Sequence, residues 1–343
     1  MNPIATTDAF AVFPYYYSRN GCHHGKTIAE VLRAVGDYSL DPLGISGYLD
    51  RAPENTLTCF REVWKVPPHH ALVESASGLQ VENLAIATHQ SIELFELLKS
   101  TIADNVPRYN KCALALSGGL DSALLLAFTK NILNLDIPAV TLATDMEGYC
   151  ELETTKRTAD HFGVDLYVFH AREADFIDLL PDVIRSAEVP LYNLHPVSKM
   201  ILCRRLREQG FDCVMTGDAA DQAFAGSAAG NYLPIVGAIM RHENMGYFSP
   251  FFDERVIAFG RSVTDSNKSA LRQLAKTLVP EFLLNQPKIP RLAPAMDLSR
   301  YWDAKRIEKI CEATNLKCKI EDAGQRTLWT TLGMLVGSLR ENI

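Results

Sequence analysis

The chain has no excess of basic residues, no long apolar run and no C-x-x-C pair. Its 34 Lys and Arg stand against 41 Asp and Glu, a formal net charge of −7. A general nucleic-acid binder needs a basic face, so no nucleic-acid partner is expected, although local basic pockets stay open. No apolar stretch reaches bilayer length, which argues against a membrane partner. The opening Met1-Asn2-Pro3-Ile4-Ala5-Thr6-Thr7-Asp8 lacks the charged-then-apolar pattern of a signal peptide, and a cytoplasmic location is expected. Eight cysteines, at Cys22, Cys59, Cys112, Cys150, Cys203, Cys213, Cys311 and Cys318, are scattered along the chain. Without paired spacing they read as free thiols in a reducing compartment rather than as a zinc site. There is no internal repeat and no low-complexity segment.

What is present is ample core-forming material: 343 residues, 47% hydrophobic. Residues 1–85 are rich in Tyr, Pro, Gly and His, and predict short strands and turns with one helix near Thr27–Val35. The texture then changes. Over 86–343 an amphipathic helix around Ile92–Lys99 leads into alternating strands and helices. Strands are expected at Cys112–Leu116, Ile137–Thr144, Val164–Phe169 and Phe211–Thr216. Helices are expected at Ala123–Phe128, Glu151–Phe162, Asp175–Ala187 and Val197–Gln209, with mainly helical chain beyond Arg255. This order implies an α/β fold with a doubly wound parallel sheet and ligands at the carboxyl ends of its strands.

Between the first sheet strand and its helix lies Ser117-Gly118-Gly119-Leu120-Asp121-Ser122. Strand, glycine turn and helix together point backbone N–H groups and a helix dipole at an anion. It is neither a GxxxxGK[ST] loop nor a G-x-G-x-x-G fingerprint. Asp121 is out of place beside phosphate unless a divalent cation sits between them, and Mg²⁺ satisfies that condition. A second turn, Thr216-Gly217-Asp218-Ala219-Ala220-Asp221, ends a later strand and would face the first across one crevice. Asp121 and Asp221 are therefore the candidate metal ligands. The plainer alternatives are a tight βα turn for the first segment and a helix N-cap for Asp221.

SGGLDS resembles the signature of the ATP pyrophosphatases, which split ATP between its α and β phosphates. TGDAADQAFAG, from Thr216, is similar to the GEGADELFGG segment of asparagine synthetases, and Ser249-Pro250-Phe251-Phe252-Asp253 to their VPFLD. Asn267-Lys268-Ser269-Ala270-Leu271-Arg272 resembles their K-x-x-L-R helix. Asn285-Gln286-Pro287-Lys288-Ile289-Pro290 resembles a segment that carries a reaction-site Lys in β-lactam synthetases. The likeness covers about 90–300. It implies an adenine nucleotide α-hydrolase-like fold, with ATP contacts at Leu116, Ser117, Gly118, Gly119, Asp121, Ser122, Leu142, Gly217 and Lys268. Lys288 would stabilise charge that develops during acyl transfer.

Upstream, Phe60–Leu72 is similar to the end of the family's glutaminase domain, so 1–85 reads as a truncated remnant of it. The glutaminase needs an N-terminal Cys nucleophile. With Met1-Asn2-Pro3 here, glutamine is not expected as nitrogen donor. The amine would then come from the activated substrate itself, as in β-lactam synthetases, or from ammonia or a second amine. The implied reaction is AMP-forming amide ligation of a small amino acid-like substrate, with ATP and Mg²⁺. A non-catalytic binding subunit is a weaker alternative, and a homodimer stays open.

β-Lactam synthetases use a Tyr–Glu pair as base, with the Tyr at the position that matches Asp218. Here that position holds a carboxylate. Glu243 and Tyr247, in a stretch that looks shortened, are the other candidates for the base. Glu151 and Glu153 read as a solvated helix face. Asp145 and Glu147 follow a sheet strand, within reach of adenylate or amine. His23-His24 and His69-His70 read as surface or packing features.

Overall fold

The computed structural model describes residues 2–85, 92–224, 232–263, 268–284 and 292–340. The first 85 residues hold β1 (Ala5–Thr6), β2 (Tyr16–Ser18), β3 (His24–Gly25), α1 (Ile28–Val35), α2 (Pro42–Leu49), β4 (Val63–Lys65), β5 (His70–Ser75) and β6 (Gly78–Asn83). They form two three-stranded antiparallel sheets, β1-β5-β6 and β3-β2-β4. Helix α1 begins at a capping box in which Thr27 and Glu30 satisfy each other's backbone N–H groups. Helix α2 was not anticipated. Its Gly44 and Gly47 weaken the helical pattern, and it starts instead on the Asp41 cap and Pro42.

Next come α3 (Leu94–Asn105), β7 (Cys112–Ala115), α4 (Leu120–Ala127), β8 (Ala139–Thr144), α5 (Leu152–Phe162), β9 (Leu166–Ala171), α6 (Glu173–Ala187) and α7 (His195–Glu208). After them run β10 (Cys213–Met215), α8 (Ala220–Phe224), α9 (Leu233–His242), β11 (Gly246–Phe248), α10 (Glu254–Ser262), α11 (Ser269–Ala275), α12 (Glu281–Leu284), α13 (Ala304–Thr314) and α14 (Ala323–Arg340). Strands β7 to β11 form one five-stranded sheet in the order β11-β10-β7-β8-β9, every pair parallel. β7 and β10 are apolar throughout and buried on both faces, as strands inside a parallel sheet must be. Chain order runs outward from β7 to β9 on one side and from β10 to β11 on the other. The switch point therefore lies between β7 and β10, where a doubly wound sheet opens a ligand crevice.

Residues 1–85 are not packed as a separate body. Ile28, Val31 and Leu32 of α1 share an apolar cluster with Phe176 and Leu180 of α6 and with Trp329 and Leu332 of α14. Glu188, just past α6, caps α1: its carboxylate accepts from the Ile28 N–H and, at 3.1 Å, from the Ala29 N–H. Val12 lies against α9 so closely that a Cβ at Gly237 would come within 1.6 Å of its carbonyl oxygen. The boundary near 85 thus marks a change of local structure and not a break in the core. Among the described residues no helix is long and apolar enough to cross a membrane.

Candidate active site

The SGGLDS loop leaves β7 at Leu116, whose N–H still bonds to Val140 on β8. Its shape is set from within. Ser122 Oγ lies 2.8 Å from Ser117 Oγ and accepts from the Ser117 N–H at 3.0 Å, while Ser117 Oγ accepts from the Gly119 N–H at 3.1 Å. The two serines therefore brace the loop. Glu151, just before α5, brings its carboxylate to the Gly118 N–H at 3.3 Å. A Cβ at Gly118 would lie 3.2 Å from the Glu151 side chain, so glycine is what permits this approach. Glu153 is exposed and solvated as the sequence implies, but Glu151 is not: it faces the loop.

Across the switch point, the turn after β10 meets this loop. A Cβ at Gly217 would come within 3.1 Å of Asp121 Cβ and 3.2 Å of the Ser122 nitrogen, so the two turns touch at their backbones. Asp121 sits in the first turn of α4 and Asp221 in the first turn of α8. Lys268 joins them, its Nζ lying 2.7 Å from Asp121 Oδ2 and 2.7 Å from Asp221 Oδ1. Burial works against the ammonium, but the two carboxylates outweigh it and hold its pKa above the ordinary lysine value. Lys268 also holds a left-handed backbone, φ 52°, which costs a residue with a Cβ roughly 1 kcal/mol.

Two carboxylates that converge on one cation fit a Mg²⁺ site. No group of three or more His, Cys, Asp or Glu residues suited to a metal occurs among the described residues. A Mg²⁺ held by two carboxylates would take its other ligands from oxygens such as those of phosphate or water.

Beside the phosphate loops lies a second cluster, centred on Asp218. Lys199 of α7 reaches its two carboxylate oxygens at 2.9 and 3.2 Å. Tyr232 donates its hydroxyl to Oδ1 and Tyr247 of β11 donates to Oδ2, each at 2.6 Å. Burial alone would raise the pKa of Asp218. Lys199 and the two phenols reverse that and hold it well below the usual carboxylate range. Both phenols are pushed well above the ordinary tyrosine value, first by burial and then by the Asp218 charge. Lys199 and the two phenols thus favour the anionic form of Asp218. The cluster extends to His195, whose ring stands edge-on to Tyr232 and whose Nδ1 meets the Tyr149 hydroxyl at 2.6 Å. Burial, then Lys199, lowers the His195 pKa to about 4, so the imidazole is neutral near pH 7.

The expected residues are thus only partly assembled. Ser117, Gly118, Gly119, Asp121, Ser122, Gly217, Asp221 and Lys268 meet at the switch point, and Asp218 and Tyr247 meet beside them. Glu243 is a correction. Its carboxylate is taken by Arg204 at 2.8 Å and its carbonyl by Arg207, so it supports the α7–α9 packing and takes no part in the Asp218 cluster. Leu142 on β8 packs against the second apolar cluster, whereas Asp145 and Glu147 after it are exposed. Lys288, with the rest of 285–291, lies outside the described residues. Lys199, Tyr232, His195, Tyr149 and Glu151 were not singled out for these roles from the sequence. Thr144, at the carboxyl end of β8, buries a hydroxyl with no partner among the described residues.

Residues 93–246 match the family model described as asparagine synthase. Amidase chry2 of Gibberella zeae is 24% identical over 259 residues, covering 65% of this chain and 37% of its own length. The glutamine-hydrolysing asparagine synthetase of Asparagus officinalis is 29% identical over 122 residues, covering 32% of this chain and 20% of its own. Among solved structures, NMN synthetase from Francisella tularensis aligns with a TM-score of 0.37 at 15% identity, over 67% of this chain and 98% of that one. This chain spans well under half the length of the two curated relatives. The family match covers residues 93–246, the stretch that carries the SGGLDS loop, the turn after β10, Lys199, Asp218 and Tyr232, and stops just short of Tyr247.

Proposed function

We propose that the protein is an ATP-dependent, AMP-forming amide ligase acting on a small amino acid-like substrate. The observation that carries this reading is the convergence of Asp121 and Asp221 on one cation beside the SGGLDS loop. Such a site suits the β and γ phosphates of ATP: loop N–H groups and the Lys268 ammonium for their oxygens, two carboxylates for Mg²⁺. When bound, Mg²⁺ would neutralise charge on the departing pyrophosphate.

In the first half-reaction a substrate carboxylate oxygen attacks the α-phosphorus. The bond from the α-phosphorus to the bridging oxygen breaks, and pyrophosphate leaves with the electron pair. In the second, an amine nitrogen attacks the acyl carbon, the C–N bond forms and AMP departs. The ammonium must give up one proton to attack and a second as the amide forms, so a proton acceptor is needed. The cluster of Asp218 with its phenol donors Tyr232 and Tyr247 supplies the residue types for that task. Lys288 is assigned to the oxyanion of the acyl-transfer step on the sequence likeness. Ring closure within a β-amino acid, to a β-lactam, is the form of the reaction that needs no separate nitrogen donor. Amidation by ammonia or a second amine is the competing form.

The test is ATP–pyrophosphate exchange over a panel of β- and δ-amino acids, followed by product mass. Exchange with some acid supports adenylation, and its absence across a broad panel of acids argues against it. A product lighter than substrate by one water supports ring closure. A strict requirement for added ammonia or amine would replace it with intermolecular ligation.

A further inference from the structure

At the proposed nucleotide site the protein's own charges lie against one another. Lys268 Nζ lies 2.7 Å from each of Asp121 and Asp221, where a divalent cation would be held. The Glu151 carboxylate lies on the Gly118 N–H at 3.3 Å, where a phosphate oxygen would be held. The two contacts fall on the same loop and carry opposite charge. Each leaves a defect if removed alone. Withdrawal of Lys268 takes a positive charge from between two adjacent carboxylates, and withdrawal of Glu151 takes an acceptor from a loop N–H. A metal that entered alone would have to displace an ammonium still attracted to the same carboxylates. A polyphosphate that entered alone would meet Glu151, Asp121 and Asp221 as like charges.

We propose that Lys268 and Glu151 are internal counter-ions of the nucleotide site, so that a divalent cation and a polyphosphate enter as a pair and neither is retained well alone. The paired ligands cancel both conflicts: the metal replaces the ammonium, the phosphate replaces the carboxylate, and the released ammonium gains phosphate oxygens as partners. This inference rests on the nucleotide reading above and adds to it an ordering of ligands by charge. Lys268 is in this sense a positioning residue for the metal as well as a phosphate contact.

The experiment uses the full chain, with Mn²⁺ followed by electron paramagnetic resonance and pyrophosphate by calorimetry. For wild type, saturating pyrophosphate should tighten Mn²⁺ binding by tenfold or more, and Mn²⁺ should tighten pyrophosphate by the same factor. Lys268→Met should bind Mn²⁺ alone about tenfold more tightly than wild type, because a unit charge in direct contact with the site has gone. Lys268→Arg, which keeps the charge, should stay weak. Glu151→Gln should bind pyrophosphate alone more tightly while leaving Mn²⁺ alone unchanged. Thermal melts confirm that each variant is folded, and Glu151→Gln tests the pairing by itself if Lys268→Met does not fold. Mn²⁺ affinity that is equal in wild type and folded Lys268→Met, or pyrophosphate affinity unmoved by Glu151→Gln, overturns the inference and leaves the nucleotide site standing. Pyrophosphate that fails to bind even with Mn²⁺ removes both.

Discussion

Lys199 Nζ lies 2.9 Å from Asp218 Oδ2, and this pair, largely shielded from solvent, ties helix α7 to the carboxyl end of strand β10. Among the described residues, Tyr232 and Tyr247 complete the shell around the carboxylate. An ion pair of this kind gives little net stability, yet removal of one member leaves an uncompensated charge.

Lys199→Met should therefore destabilise the fold by on the order of 3 kcal/mol, and Asp218→Asn by a similar amount. The double variant should lose less than the sum of the two. Denaturant titrations of the four proteins measure the coupling. If the two changes add, the contact contributes nothing of its own. Where Asp218→Asn folds, it should retain ATP–pyrophosphate exchange and lose amide product, because its place is beside the acyl-transfer step.

Asp121→Asn and Asp221→Asn should each abolish Mg²⁺-dependent pyrophosphate release. Each removes one of the two carboxylates proposed to hold the metal that neutralises the phosphate charge. The fold should hold, since asparagine keeps the shape and the amide oxygen still accepts from Lys268. Stopped assays of released pyrophosphate, with melts alongside, decide it. Near-normal turnover in either variant would remove that residue from the metal site.

Lys288→Ala should slow amide formation by about 10²–10³ and weaken ATP binding only modestly, because its proposed interaction forms with charge that appears in the transition state. Lys288→Met should match it. Single-turnover formation of amide, compared with exchange at the adenylation step, separates the two effects. A variant within a few-fold of wild type in both would return Lys288 to an ordinary loop residue.

The parallel sheet was legible because β7 and β10 are unbroken apolar runs and β8 is apolar but for its threonines, a local signal that survives without tertiary information. SGGLDS and Asp221 were singled out for a chemical reason, the conflict of carboxylate with phosphate, and what the structure adds is that their two turns meet. What stayed hidden was whatever depends on two distant elements meeting. Lys199 in sequence is one of several polar positions on α7, and only the packing of α7 beside β10 gives it Asp218. Glu151 reads as a solvated helix start until the approach to Gly118 is seen. Glu243 was misplaced for the converse reason: its partners Arg204 and Arg207 lie more than thirty positions upstream. Strand β11 is three residues long, too short for any periodicity to register.

Glu188 supplies a prediction on pH. It is buried, holds a left-handed backbone at the end of α6 and caps α1 through the Ile28 and Ala29 N–H groups. Burial pushes its pKa up to about 7, and the two N–H donors pull against that without prevailing. A carboxyl whose pKa is higher in the folded than in the unfolded chain binds its proton more tightly when folded. Its stabilising contribution is therefore complete below the ordinary carboxyl range, near pH 4.5, and is lost as pH rises to about 7. The loss is on the order of 3 kcal/mol at most. Glu188→Gln keeps an acceptor for the same N–H groups and cannot ionise, so its stability should be flat across this window as far as this position is concerned. The difference in unfolding free energy between wild type and Glu188→Gln should thus move in favour of the variant from pH 5 to pH 8. Urea titrations at several pH values measure it. A difference that stays constant, or that moves towards wild type as pH rises, would show that Glu188 is ionised throughout and that its charge at the start of α1 outweighs its burial.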